Sequence, residues 1–245
     1  MCGLKCKILT PNPKKLILNL IKDIEGKCVM NAVIENIKMR HSVRLFEQKP
    51  VPKNILKTII EAGNVAPSTG ATKEVEEGEK KKNIIDYQPW RFVVVENPEF
   101  KQKLFQTIEP IRSNFYEGLK KTVPEMYEDA MKLSEAMDEP KDLIFYSAPV
   151  IIYVIGPSSN SIGCAMVCEN IMLAAVSFGL GSCYVGFGAM IKGNADVVKA
   201  LDLKDKERIY GPIIVGYPKI NPTERQASIL KELRSKKKEP TIKWI

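Results

Sequence analysis

The chain concentrates charged and hydrogen-bonding side chains in one short segment, residues 40–44. The segment reads Arg40-His41-Ser42-Val43-Arg44. Arginine binds phosphate through paired, charge-assisted hydrogen bonds, so two guanidinium groups beside a hydroxyl and an imidazole suit a phosphate group. A solvated basic helix end is the other interpretation, because the preceding residues show helical periodicity. The segment therefore indicates either an anion site or an exposed basic surface.

A second segment, residues 179–186, could bring backbone close to a flat ligand. It reads Gly-Leu-Gly-Ser-Cys-Tyr-Val-Gly and follows an apolar helical stretch. Its glycines lack the spacing of a dinucleotide fingerprint, and the segment follows a helix instead of opening one, which excludes a Rossmann site. We predict a helix C-cap at Gly179 that leads into a strand. Gly181 and Gly186 are the positions where a missing side chain would admit a ligand.

The reactive side chains limit the chemistry further. His41 is the single histidine, which leaves little room for a hydrolytic triad or a multi-histidine metal site, and we predict no metal. The six cysteines do not form paired C-x2-C spacings, and the chain is too long for a disulfide scaffold, so a reducing cytoplasm fits best. Cys164 and Cys168 lie four residues apart in an apolar helical stretch, where buried hydrophobes are favoured over a redox pair.

Composition indicates a folded globular protein with a basic surface. Hydrophobic residues make up 44% and charged residues 27% of the 245 residues, and the net charge is +8. The two lysine clusters, 80–82 and 236–238, have no interleaved aromatic residues, which favours solvated surface over a nucleic-acid groove. A phosphate-bearing cofactor accounts equally well for part of the charge. We predict no nucleic-acid partner.

The apolar stretch from Ile162 to Leu180 predicts a helix within the fold, not a membrane span. Glu169 and Asn170 lie at its centre, and carrying a carboxylate through hydrocarbon costs a few kcal/mol or more. Because the stretch is apolar on nearly every face, we expect burial on all sides, either at a domain centre or across a subunit interface.

Apolar periodicity predicts alternating helices and strands in one domain. Strands are predicted at 91–96, 148–155 and 209–215, and helices around 33–37, from Pro52 to Gly63, in segments over 99–138, and at 162–178. The polar residues 69–86 are predicted to form an exposed loop. Long helices between strands favour an α/β or α+β sandwich over a β-barrel. Residues 1–29 form an N-terminal extension of unknown role, and residues 30–245 form the domain.

Taken in chain order, the segments resemble the nitroreductase family of flavoproteins. The similar motifs are residues 40–44, Ala66-Pro67-Ser68, Gln88-Pro89-Trp90 before a strand, residues 179–186, Gly216-Tyr217-Pro218 and a late Arg225. The resemblance covers residues 31–245. It implies an α+β fold with a central, mostly antiparallel sheet flanked by helices. It also implies an intertwined homodimer that binds FMN at the subunit interface.

The same resemblance implies roles for the basic residues. Arg40, Ser42 and Arg225 would hold the FMN phosphate and ribityl chain, and His41 would assist. Arg44 would lie near the pyrimidine edge of the flavin. A fixed cation there stabilises the negative charge that hydride transfer leaves on the ring, which raises the flavin potential.

Other positions match segments that the family places around the flavin ring. These are Pro67 and Ser68, which the partner subunit would supply, and Asp86, Gln88, Tyr184, Val185 and Gly186. The chain departs from the family between Ser68 and Gln88, where 19 residues replace the usual few and Asp86 replaces an asparagine. Either Asp86 accepts a hydrogen bond from the flavin, or the enlarged loop moves it away. Thr223 stands where some relatives have a lysine.

The resemblance implies a ping-pong oxidoreductase in which NADH or NADPH reduces FMN, and FMN reduces a nitroaromatic or quinone. The chemistry resides in the cofactor, so no side chain is predicted to be catalytic. One alternative is a specialised flavoprotein that removes halogen or fragments its own flavin, with residues 69–87 as a substrate lid instead of a surface insertion. Another is a non-catalytic basic binding protein.

Overall fold

The computed structural model describes residues 31–77, 80–137, 142–191, 193–235 and 240–244. The chain divides into two compact units, Met1–Met39 and Arg40–Ile245. The described part of the first unit forms helix α1, Ala32–Met39, as its apolar spacing predicts. Residues 1–29, the predicted extension, lie outside the described residues, and the boundary at residue 30 stays a prediction.

The second unit contains the remaining described helices and strands. The helices are α2 (Lys53–Asn64), α3 (Pro98–Thr122), α4 (Pro124–Glu135), α5 (Ser161–Ser177), α6 (Ala195–Ala200) and α7 (Glu224–Ser235), with short 3-10 helices at Ser158–Asn160 and Phe187–Ala189. The strands are β1 (Ala71–Glu77), β2 (Lys80–Asp86), β3 (Arg91–Val95), β4 (Val150–Pro157), β5 (Gly181–Tyr184), β6 (Glu207–Ile209) and β7 (Ile213–Gly216).

The central sheet is antiparallel throughout its named strands. Its strand order is β3-β4-β7-β5, and β6 also pairs with β4. The predicted single strand 209–215 is wrong, because β6 and β7 are separate strands along the same partner. Gly211 and Pro212 interrupt them, and proline has no N–H to give to a strand ladder. The α+β fold class is confirmed.

Helices cover both faces of this sheet. Alternate residues of β4 enter two different apolar clusters: Ile151, Tyr153 and Ile155 on one face, and Val150, Ile152 and Val154 on the other. The first face packs on apolar residues of α3 and α6, and the second packs on those of α2 and α5. A strand buried on both faces reads as a continuous apolar run, which is why residues 148–155 predicted a strand.

The predicted loop 69–86 is wrong in one respect, since it contains a β-hairpin. Strands β1 and β2 pair antiparallel as a separate two-stranded sheet, with Thr72 opposite Ile85 and Glu76 opposite Lys81. Opposite charges across strands stabilise such a pair, and Lys81 also contacts the Glu74 carboxylate at 2.8 Å. Charge alone indicated a loop, whereas the opposite charges of the two halves pair across the hairpin. The prediction of exposure holds, because most hairpin residues are exposed.

Helix α5 packs one side on α2 and the sheet. A Cβ on Gly63 of α2 would lie 2.6 Å from Ile171, so glycine allows the two helices to approach closely, and α2 continues past it to Asn64. The stretch Ser158–Ser177 is long and apolar enough to cross a membrane, yet it buries Cys164, Ile171 and neighbouring residues in the core. Burial raises the pKa of Cys164 to about 11, which fits the predicted buried thiol.

Candidate cofactor site

The predicted anion segment runs along the edge of the central sheet. Ser42 forms a parallel β-bridge with Ser182 of β5, and the Val43 N–H donates to the Ser182 carbonyl at 2.9 Å. A Cβ on Gly181 would lie 2.7 Å from the Val43 side chain. The expectation that Gly181 admits a flat ligand is therefore wrong, because Val43 fills that space. Gly181 instead lets the 40–44 segment approach β5.

The other glycine of the segment lies in open space. The helix ends as predicted, with Gly179 at φ +69°, and β5 follows. After β5, the buried Val185 donates its N–H to the Pro212 carbonyl at 2.9 Å. Among the described residues, none places a heavy atom within 4 Å of a Cβ built on Gly186. Tyr184 is 49% exposed and Gly186 is exposed, so these two predicted positions are accessible, whereas the Val185 side chain lies in the core.

Arg44 has an unsatisfied hydrogen-bond donor. Its Nη1 donates to the Ser42 carbonyl at 3.5 Å, and its guanidinium lies 5.7 Å from the centre of the Tyr146 ring. Its Nε is buried and has no acceptor within the described part of the chain, and the same holds for the Ser182 hydroxyl. A buried donor without a partner costs about 1–3 kcal/mol, so these groups fit a ligand that supplies hydrogen-bond acceptors.

Arg44 also borders a cavity of about 570 Å³. Its lining comes from residues 44–48, from Met137 and the 142–147 loop, and from Lys219. Asp142 in this loop accepts backbone N–H groups from Ile144, Phe145 and Ser147. The Glu47 carboxylate accepts the Ile220 N–H at 3.1 Å. Both acidic side chains of the lining are thus engaged by backbone donors.

The two outer arginines have different acidic neighbours. The Arg40 Nε lies 3.4 Å from the Glu169 carboxylate of α5, and Arg225 contacts Glu135 of α4 at 2.6 Å. Arg225 lies in the first turn of α7, which packs on α4, and is exposed. His41 is partly buried beside Arg40. A shared phosphate role for Arg40 and Arg225 stays a prediction.

Thr223 has a structural role that explains its departure from the family pattern. Its hydroxyl accepts the Gln226 N–H at 3.2 Å, and the Gln226 side chain accepts the Thr223 N–H at 2.9 Å. This reciprocal pair is a capping box at the start of α7. Gln226 also donates to the Ala136 carbonyl at 2.9 Å, which ties α7 to the end of α4.

The predicted partner-facing segment is held in place by a buried amide. The Asn160 side chain donates to the Ser68 hydroxyl at 2.6 Å and is 3% exposed. The Ser68 hydroxyl also accepts the Gly70 N–H at 2.9 Å. Pro67 is exposed next to it, on a second cavity of about 290 Å³ that extends to Ile162 and Met166.

Asp86 and Gln88 lie at the base of the hairpin. The Asp86 carboxylate accepts the Gln88 N–H at 3.1 Å and lies 3.7 Å from the Lys73 ammonium. The Gln88 side chain is exposed. Asp86 thus already has two partners within its own subunit, and its contact with a flavin stays a prediction.

Sequence reasoning missed Asn160, Ser182 and Tyr146. The polar run 158–161 directly before an apolar helix was a signal for Asn160, because such residues bind free backbone and side-chain groups at helix starts. Glu169, a carboxylate in an apolar helix, was an unused signal for a cationic neighbour, and that neighbour is Arg40. Nothing in the sequence around Tyr146 indicated its position beside Arg44.

Comparison with known proteins agrees with this architecture. A family model, the Nitroreductase family, matches residues 37–217. A protein of Methanothermobacter thermautotrophicus, assigned by name to the NADH dehydrogenase/NAD(P)H nitroreductases, is 25% identical over 209 residues, covering 82% of this chain and 85% of its own. The FMN-bound nitroreductase of Bacteroides fragilis has the same fold, with a TM-score of 0.55 and 24% identity over 87% of this chain and 96% of its own.

A shorter match is to a deiodinase. Iodotyrosine deiodinase 1 of Rattus norvegicus is 32% identical over 75 residues, which cover 31% of this chain and 21% of that protein. The family model covers far more of the chain than this match and includes the 40–44 segment, β5 and the core of the sheet. The chain therefore belongs to the nitroreductase family.

Proposed function

We propose that this protein is an FMN-dependent oxidoreductase that takes hydride from NADH or NADPH and reduces nitroaromatics, quinones or similar electron-poor acceptors. The observation that carries this proposal is the buried Arg44 Nε–H, which has no acceptor among the described residues. Arg44 lies on the family's 40–44 segment, whose Ser42 bridges Ser182, the other described residue with an unsatisfied buried polar atom. Family membership and the FMN bound by the Bacteroides fragilis neighbour support the choice of cofactor.

Each residue of the site has a function in binding such a cofactor. FMN, when bound, supplies the hydride-transfer chemistry. Arg40 and Ser42 bind phosphate oxygens, because a guanidinium and a hydroxyl are strong donors to an anion. Arg44 places a fixed cation that stabilises negative charge on the ligand. The open backbone at Gly186 leaves room for a flat ring.

The proposal includes a homodimer, in which Pro67 and Ser68 reach the partner's cofactor. Helix α5 supports it, because Ile162 at its start is 75% exposed and lies with Pro67 and Met166 along one cavity. Large exposed apolar side chains on one surface are typical of an interaction site. Sedimentation equilibrium measures the mass directly, and a monomer at micromolar concentration would contradict this part of the proposal.

The first experiment is an absorbance spectrum of the purified, FMN-reconstituted protein, followed by anaerobic addition of NADH and NADPH in separate cuvettes. We expect visible flavin bands that bleach with one or both nicotinamides and return when a nitroaromatic or quinone is added. Bands that bleach with neither nicotinamide would indicate a flavoprotein that takes its electrons from another donor. Failure to bind FMN would contradict the proposal as a whole.

A second candidate function is reductive removal of halogen from an aromatic ring. The match to rat iodotyrosine deiodinase 1 favours it. The hairpin of β1 and β2 fits the same candidate as a substrate cover. Its base carries Asp86, one of the positions predicted to lie at the flavin. Release of iodide from an iodinated phenol by the reduced protein would support this candidate, and steady nitroaromatic turnover without iodide release would favour the first.

A further inference from the structure

The loop 142–147 holds two neighbouring residues in an unusual backbone conformation. Tyr146 has φ 54° and Ser147 has φ 51°. L-amino acids avoid this left-handed region, at a cost of roughly 1–2 kcal/mol per residue. Such conformations persist only where surrounding contacts impose them, and they concentrate at functional sites. Reversal of the chain direction alone does not account for two consecutive left-handed residues in this loop.

A set of hydrogen bonds imposes the conformation. The Asp142 carboxylate accepts the N–H groups of Ile144 at 3.0 Å, Phe145 at 2.8 Å and Ser147 at 3.0 Å. The Gln48 side chain donates to the Ser147 carbonyl at 3.0 Å, from the chain that continues directly out of the 40–44 segment. The loop is thus tied to the same part of the chain that carries Arg44.

The consequence of this conformation is the position of the Tyr146 ring. The ring packs against apolar residues around Leu45, and the Arg44 guanidinium lies over it, 5.7 Å from the ring centre. Burial raises the pKa of Tyr146 to about 12, and the Arg44 charge offsets only part of that rise, so the phenol stays neutral. An aromatic face attracts a cation without consuming its N–H donors.

Other contacts leave Arg44 weakly held. Its hydrogen bond to the Ser42 carbonyl is 3.5 Å long, which is beyond the usual range for N–H donors. Its other polar interaction is a side-chain hydrogen bond with the Tyr146 phenol, which offsets part of the rise in the pKa of that phenol. The ring of Tyr146 is therefore the principal surface that orients the guanidinium, and the Nε–H stays available to a ligand.

We infer that Tyr146 is a positioning residue, which holds the Arg44 cation in the orientation that receives the flavin of the proposed function. This inference rests on that function, since it concerns the same cofactor. A cation fixed beside the flavin stabilises its reduced, more negative form more than its oxidised form. Tyr146 should thus affect the redox potential and the affinity for FMN, although it does not itself touch the reacting atoms.

The experiment compares Tyr146→Leu with Tyr146→Phe in the full chain loaded with FMN. Phe keeps the aromatic face and loses only the phenol's hydrogen bond with Arg44, so it is the control for the face. Its FMN dissociation constant and midpoint potential should lie closer to those of the wild type than those of the Leu variant do. Leu removes the face. We expect FMN to bind about 2- to 30-fold more weakly and the midpoint potential, measured by spectroelectrochemistry, to become more negative.

A double-mutant cycle separates positioning from general damage to the loop. In an Arg44→Gln background the cation is absent, so Tyr146→Leu should shift the potential no further. If Leu does not fold, Tyr146→Met gives the same comparison with a flexible side chain of similar length. An unchanged potential in a folded, FMN-bound Leu or Met variant would overturn the inference. Failure of the wild type to bind FMN would instead contradict the proposed function.

Discussion

Val43 donates its backbone N–H to the carbonyl of Ser182 at 2.9 Å, and this bond attaches the 40–44 segment to the edge of the central sheet. The segment and β5 run parallel there, which places Arg40, Ser42 and Arg44 beside the strand that leads to Gly186. Two stretches that are far apart in sequence are thus joined into one surface. The spacing between them depends on the missing side chain of Gly181.

Gly181→Ala should destabilise the protein and weaken FMN binding together. Its Cβ would lie 2.7 Å from Val43, a contact that forces the 40–44 segment away from β5. Overpacking of this kind costs about 1–3 kcal/mol. Urea denaturation measures the loss in free energy of unfolding, and fluorescence titration measures the FMN dissociation constant.

Gly186→Ala is the matched substitution at the other glycine. The residue has helical backbone angles, and its Cβ would meet no described atom within 4 Å, so the free energy of unfolding should not fall. FMN affinity should fall, because the methyl group occupies the space proposed for the ring. Equal FMN affinity in wild type and variant would show that no ligand approaches this backbone.

Asn160→Ala should loosen the segment that carries Pro67 and Ser68. The buried amide donates to Ser68 at 2.6 Å and to the Gly70 carbonyl at 3.4 Å. Removing it deprives the partly buried Ser68 hydroxyl and Gly70 carbonyl of a donor, at a cost of about 1 kcal/mol. We expect faster proteolysis near residue 68 and a weaker homodimer, measured by sedimentation equilibrium.

Asn170→Ala is the control for this prediction. Asn170 lies on α5, the helix that directly follows Asn160, and donates to the Ala62 carbonyl at 3.3 Å, away from Ser68. It should lower stability without changing proteolysis near residue 68. If both variants show the same cleavage pattern, the effect at Asn160 is general destabilisation.

The elements most visible in the sequence were those with a strong apolar period. The spacing of Leu56 and Ile59 predicted α2, and the run 148–155 predicted β4, because burial requires those patterns. The hairpin of β1 and β2 was missed, since its charged residues pair with each other and not with a core. The break between β6 and β7 was missed because the apolar residues on either side of Gly211 and Pro212 resemble one continuous run.

The sequence predicted which residues belong to the candidate site, but not how those residues are arranged in space. Arg40, Ser42 and Arg44 stand out as anion-binding residue types, and the order of motifs identified the family. The bridge between Ser42 and Ser182 joins residues 140 positions apart, and no local pattern records such a pairing. The position of Tyr146 depends on a left-handed backbone, which sequence propensities disfavour.

Glu207→Gln should lower stability in a pH-dependent way. Its carboxylate binds Arg91 through two hydrogen bonds, of 2.8 and 2.7 Å, and the hydrogen bond from Arg91 holds the pKa of Glu207 below its usual value. At pH 7 the substitution should cost about 1.5–3 kcal/mol, as expected for hydrogen bonds to charged groups. Thermal or urea unfolding at several pH values measures this cost.

The sign of the pH dependence follows from the direction of the shift. A carboxylate with a lowered pKa in the folded state contributes stability that is complete above its unfolded value, about 4.5. That contribution decreases as the pH falls through the lower folded value. The difference between wild type and Glu207→Gln should therefore shrink below pH 4.5. Glu61→Gln, in an exposed pair with Lys57 at 3.8 Å, should change stability by less than about 0.5 kcal/mol at any pH.

Ser147→Gly should raise the free energy of unfolding, because the serine is held at φ 51°. Relief of a left-handed conformation gains roughly 1–2 kcal/mol, and the greater freedom of glycine in the unfolded chain costs about 0.5–1 kcal/mol. The net gain should be about 0.5–1 kcal/mol. Ser134→Gly, in helix α4, should lower stability by a similar amount, since no strain is relieved there. A loss of stability at both positions would mean that the Asp142 and Gln48 hydrogen bonds, and not the residue type, set the energy of this loop.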